Sequence, residues 1–129
     1  MTIMILIDSD VLIWLTRGHT GAKERLGQVN PWRISTLTYM ELAQGCRNKD
    51  ELVRIKRGFA MQQTEILPVT PAISEHAMAL IDEHALADGL LLADALIAAT
   101  AIEHQLTLLT GNARHFAAIA QLKIERFDP

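Results

Sequence analysis

Residues 4–10 read MILIDSD: four apolar residues without a polar interruption, then two carboxylates, Asp8 and Asp10, separated by Ser9. An apolar run that does not alternate marks a strand buried on both faces, the environment of a central strand in a parallel sheet. Open α/β sheets bind their ligands beyond the carboxyl ends of such strands. The stretch therefore predicts an architecture and also the edge of it where polar groups should gather.

On the C-terminal side, Val11 to Leu15 continues as a short helix closed at Gly18, with Trp14 read as a core or interface anchor. His19 to Asn30 has the composition of a second helix, which Pro31 ends. Trp32 to Thr36 reads as a second strand. Thr38-Tyr-Met-Glu41 has the spacing of a capping box, in which Thr38 caps the next helix and Glu41 reaches back to it. The charged run Arg47 to Lys56 carries an apolar stripe of Leu52, Ile55 and Phe59 and reads as another helix. Ile66 to Val69 is a short strand, followed by a helix from Pro71 whose buried face is Ile73, Ala77, Leu80 and Ile81. His76 and His84 fall on its solvated side, away from any metal. From Ala93 a small-residue helix follows, with Asp94 at its start as an N-cap or an acid complementing the helix dipole. Leu106 to Thr110 is a further buried strand ending in Gly111-Asn112, and a helical segment around Phe116 to Ala120 precedes a last strand, Lys123 to Phe127. This alternation predicts one α/β domain over residues 1–129, a three-layer α/β/α sandwich with a central, mainly parallel sheet.

Composition narrows the function. With 129 residues, half of them hydrophobic, one domain is expected. Cys46 is the only cysteine, which excludes a disulfide framework and a cysteine-based zinc site and fits a cytoplasmic protein. Asp94 interrupts the apolar stretch from Leu90 to Ile102, so no segment is expected to cross a membrane and the chain should be soluble. The net charge of −3 argues against a generally basic coat, but residues 1–57 hold nine Lys and Arg against six acids, and the remainder three against nine. That asymmetry permits a phosphate-binding face beside an acidic site.

The predicted topology brings Asp8, Asp10, Glu41, Asp94, Thr110 and Asn112 toward one sheet edge. Two ionised carboxylates about 4 Å apart repel by roughly 4 kcal/mol at an effective dielectric near 20, so several cannot share a pocket without protons or a cation. Hard oxygen donors without thiolates select Mg²⁺ or Mn²⁺. Such a centre suits phosphodiester hydrolysis.

At this point four segments resemble a known family: Ile7-Asp8-Ser9-Asp10-Val11-Leu12, Thr38-Tyr-Met-Glu41-Leu-Ala-Gln-Gly45, Asp94-Ala-Leu-Ile97-Ala-Ala-Thr100-Ala and Leu109-Thr110-Gly-Asn112-Ala-Arg-His-Phe116. In order and spacing they look like the PIN domain, and most like the VapC-type ribonuclease toxins of toxin–antitoxin operons. The resemblance implies that Asp8, Glu41 and Asp94 hold Mg²⁺ or Mn²⁺, and that Asn112 stands where some members carry a fourth acid. Asp10, Thr38 and Thr110 take supporting roles, and His115 that of a loop residue. It further implies endonucleolytic cleavage of RNA, a homodimer, and silencing by a small antitoxin protein. Arg17, Lys23, Arg25, Arg47 and Lys49 are the cations available to position an RNA backbone. Two other readings remain open: a phosphatase of the haloacid dehalogenase type with Asp8 as nucleophile, and a non-catalytic module of the same fold.

Overall fold

The computed structural model describes residues 3–129. Its elements are β1 (Ile5–Ile7), α1 (Ser9–Thr16), α2 (Thr20–Gly27), β2 (Arg33–Ser35), α3 (Thr36–Gln44), α4 (Lys49–Met61), β3 (Glu65–Leu67), α5 (Pro71–Asp88), α6 (Leu92–Glu103), β4 (Thr107–Thr110), α7 (Ala113–Phe116) and β5 (Ile124–Arg126). All pairings are parallel. β4 lies between β1 and β5, β2 pairs with β3, and β2 packs beside β1, so two short ladders stand side by side rather than as one continuous sheet.

Side-chain alternation along β1 explains why its sequence does not alternate. Ile5 and Ile7 point into a core shared with Val11 and Leu12 of α1, Ala22 and Leu26 of α2, Leu42 of α3 and Phe59 of α4. Leu6 points the opposite way, into a second core filled by α5, α6 and Phe116. β4 repeats the arrangement, with Leu108 in the second core and Leu109 in the first. Both faces of both strands are thus apolar, and helices cover each side. On α6 the residues packed inward include Ala95, Ala98, Ala99 and Ala101, whose short side chains let the helix approach closely. Among the described residues no helix is long and apolar enough to cross a membrane.

Three local expectations are corrected. The helix after β2 begins three residues earlier than the capping box required: Ser35 is the N-cap, its hydroxyl accepting from Leu37 N–H at 3.0 Å, so Thr38 is already helical and Glu41 is not a capping partner. His84 is buried, because Ile73, Ala77, Leu80 and His84 form one stripe on α5; its Nδ1 lies 2.7 Å from Asp88 Oδ2. The helical segment before the last strand lies at Ala113–Phe116 and ends at the buried Phe116, which anchors it.

Candidate active site

The carboxyl ends of β1 and β4 define the site. Asp8 follows β1 directly and is the N-cap of α1, with Oδ1 accepting from Ser9 N–H at 2.8 Å. Its Oδ2 accepts from the Thr110 hydroxyl at 2.8 Å, and that hydroxyl in turn accepts from Asn112 N–H at 3.0 Å. Thr110 is the last residue of β4, so one hydroxyl ties the ends of the two central strands together through the carboxylate. Asp8 is only 5% exposed. Burial, then the neighbouring charge of Asp10, raises its pKa to about 6, with a smaller contribution from Asp94. The two hydrogen bonds it accepts offset part of that rise.

Asp10, in the first turn of α1, aims Oδ2 at Gly111 N–H at 2.8 Å. Its Oδ1 is buried without a partner, and burial pushes this carboxyl above its usual range. Glu41, from α3, is raised by burial and then by the charges of Asp8 and Asp94; a hydrogen bond from Ser9 works in the other direction. Asp94, in the first turn of α6, spends Oδ2 on Leu91 N–H at 3.2 Å, the dipole-complementing placement expected of it. Four acids from three helices therefore feel one another at a single edge.

Thr38 is fully buried and its hydroxyl has no partner. A buried hydroxyl left unbonded costs about 1–3 kcal/mol. Thr38→Val, which keeps the shape and removes that hydroxyl, is expected to raise stability by about 1 kcal/mol, read as a higher urea midpoint at unchanged m value. A lowered midpoint would show that the hydroxyl has a partner in solution.

The cations expected to position a backbone are not equivalent. Arg25 is bound by Glu125 through two hydrogen bonds, 2.6 and 2.8 Å, and lines a cavity of about 210 Å³ with Ile3, Met4 and Ile5 at the opposite edge of the sheet. Arg47 is paired with Glu51 at 2.9 Å. Lys23 and Lys49 are exposed on α2 and α4, and Arg17 is exposed at the end of α1. Sequence reasoning missed Ser9 and Gly111 N–H as contributors; the DSD pattern held a signal for Ser9 only.

The donor set is compatible with a hard divalent cation. Every candidate ligand is a carboxylate, hydroxyl or amide oxygen, the neighbouring negative charges help raise Asp8 and Glu41, and one buried carboxylate oxygen lacks a hydrogen. Among the described residues no three Asp, Glu, His or Cys side chains are gathered tightly enough to ligate a metal together. A hard divalent cation held by one or two carboxylates and several waters does not require a tighter cluster than this.

Comparison with known proteins places this geometry. The family model described as PIN domain matches residues 5–122. Ribonuclease VapC10 of Mycobacterium tuberculosis is 36% identical over 126 residues, covering 93% of this chain and 91% of the relative. A toxin–antitoxin complex from Klebsiella pneumoniae contains a chain that superposes with a TM-score of 0.77 at 33% identity, covering 92% of this chain and 94% of that one. FitAcB from Neisseria gonorrhoeae superposes with a TM-score of 0.74 at 25% identity, covering 94% and 96%. The family match opens on the first residue of β1 and closes in the turn before β5, so it takes in every acid of the site. On that match the chain belongs to the PIN domain family.

Proposed function

We propose that the chain is a divalent-metal-dependent endoribonuclease, Mg²⁺ or Mn²⁺ being the cation, and that it is the toxin of a toxin–antitoxin pair acting in the cytoplasm. The observation that carries the reading is Asp8: a carboxylate buried beside three others, held by two hydrogen bonds in a place where its charge is unfavourable unless a cation joins it. The ribonuclease name of a relative 36% identical supports RNA as substrate, and the toxin–antitoxin assembly of a 33% identical neighbour supports an antitoxin partner.

Asp8, Glu41 and Asp94 would hold the cation, with Asn112 and Asp10 within reach of its waters. The bound cation supplies charge neutralisation at phosphorus and a more acidic water. The chain's own groups do the rest. Thr110 and Ser9 N–H fix both oxygens of Asp8, so the carboxylate cannot rotate away from the site. Glu41 is solvent-accessible and raised above the ordinary glutamate range, which makes it the better proton acceptor from an attacking water; Asp94 has one oxygen committed to Leu91 N–H. Water oxygen bonds to phosphorus, its proton passes to Glu41, and the bond from phosphorus to the 3′ oxygen breaks, that oxygen taking a proton from solvent as it leaves. The products are a 3′-hydroxyl and a 5′-phosphate. A phosphatase using Asp8 covalently lacks its lysine, since Lys123 precedes β5 and so stands at the far edge of the sheet.

Incubation with total RNA and Mg²⁺ is expected to give discrete fragments with 5′-phosphate ends. EDTA should abolish them, and Asp94→Asn should lower the rate by at least about a hundredfold. Cleavage that survives EDTA, or an Asp94→Asn protein as active as the parent, would overturn the reading.

A further inference from the structure

Along α1, Asp10, Trp14 and the C-cap residue Arg17 fall at i, i+4 and i+7, one stripe of the helix that starts in the acid site. At 1.5 Å per residue, Trp14 stands about 6 Å and Arg17 about 10 Å along the axis from Asp10. The Arg17 guanidinium sits 5.9 Å from the centre of the Trp14 ring, the outer limit of a cation–π contact. Arg25, Arg33, Arg47 and Arg126 are each paired with a carboxylate; among the described residues Arg17, like Arg54, Arg57 and Arg114, has no such partner, and it is the one that lies against an aromatic ring.

The indole is braced from behind. His19 meets it edge-on at 5.1 Å, and Phe127 meets His19 at 5.7 Å. His19 is itself fixed, since its Nδ1 accepts from Ala22 N–H at 3.1 Å. Phe127 N–H donates to the Thr110 carbonyl at 2.8 Å, and its own carbonyl lies against Gly111. A half-buried aromatic surface carrying an unpaired cation is thus anchored to the same loop that receives Asp10 and Thr110. Trp14 does pack against the core, as its sequence suggested, but only in part.

We propose that Trp14 and Arg17 form a single-stranded RNA subsite beside the acids, with a nucleobase stacked on the indole and the neighbouring phosphate on the guanidinium. The inference rests on the nuclease reading and deepens it. Stacking on an aromatic ring with an adjacent cation is the recurring physics of single-strand binding. A protein segment docked on Trp14 is the competing occupant, and the binding measurements below separate it from RNA.

The test uses the full chain in EDTA, so that binding is read without cleavage. Trp32 is buried, with its indole N–H on the Leu26 carbonyl, and Trp32→Phe leaves Trp14 as the sole indole. A single-stranded oligoribonucleotide is expected to quench its emission saturably. Trp14→Leu should weaken binding by about five- to a hundredfold, and Trp14→Phe should retain most of it. Arg17→Ala, a change at an exposed position that leaves the fold intact, should lower the salt slope of binding by about one. RNA that binds without altering Trp14 emission, or a folded Trp14→Leu protein that binds RNA like the parent while losing a protein partner, overturns the subsite alone. A parent protein that neither binds nor cleaves RNA overturns the nuclease reading and the subsite with it.

Discussion

Asp8→Asn is expected to melt about 4–8 °C above the parent at pH 7 in EDTA while cleaving no RNA. In the folded chain the Asp8 carboxyl is raised to about 6 from an ordinary value of 3.8. An acid whose folded pKa is raised holds its proton more tightly in the native state, so stability falls as pH climbs from about 4 to about 6 and the whole penalty is present above that. Two pKa units correspond to about 3 kcal/mol. Asparagine removes the buried charge, keeps an oxygen for Ser9 N–H and still caps α1. It disturbs the bond from Thr110, at a cost of about 1 kcal/mol, which leaves a net gain of about 1–2 kcal/mol.

The pH and metal dependence follow from the same buried charge. Below about pH 4 the parent's Asp8 is protonated whether folded or not, and the advantage of the variant should vanish. Added Mg²⁺ should raise the melting temperature of the parent and leave that of Asp8→Asn nearly unchanged, because only a ligand that binds the native state stabilises it. A variant less stable than the parent at pH 7, or one stabilised by Mg²⁺ as strongly as the parent, would show that Asp8 is not a charge waiting for a cation.

Much of this was written in the local pattern, because burial on two faces leaves a signature that few residues suffice to carry. Ile5, Leu6 and Ile7 can be nothing other than apolar when Ile5 and Ile7 face one core and Leu6 the other. Capping was less legible. Ser35 and Thr38 are both good N-caps one turn apart, each followed by helix-forming residues, and sequence does not say which one departs from the strand; the parallel pairing of Ser35 with Leu67 decides it. The polarity of His84 points to solvent while its spacing from Ile73, Ala77 and Leu80 puts it on the buried stripe, and here the period decides. The gathering of the site residues at one sheet edge was legible from the order of strands, but the individual long-range bonds were not. The bond from Gly111 N–H to Asp10 crosses 101 residues, and no spacing rule reports which of the two acids flanking Ser9 takes Thr110 and which takes Gly111.

That crossing bond supplies the second large effect. A Cβ built on Gly111 would stand 2.5 Å from Asp10 Oδ2, the atom that accepts Gly111 N–H, so Gly111→Ala has to expel the carboxylate from that hydrogen bond. The other oxygen is already buried without a partner, and the displaced group stays a desolvated charge. Loss of a hydrogen bond to a charged acceptor is worth about 1.5–3 kcal/mol, and Gly111→Ala is expected to lose about 2 kcal/mol of stability. It should also slow RNA cleavage by at least about tenfold, since the loop it distorts carries Thr110 and Asn112. Asp10→Asn keeps an acceptor for the N–H without the charge and should cost less than about 1 kcal/mol. The decisive comparison is the double variant Asp10→Ala with Gly111→Ala: once the carboxylate is gone the new methyl has nothing to strike, so the two losses should fall short of their sum by at least about 1 kcal/mol. Additive losses in urea denaturation would mean that Asp10 and Gly111 do not meet, and the clasp between α1 and the β4 loop would be refuted.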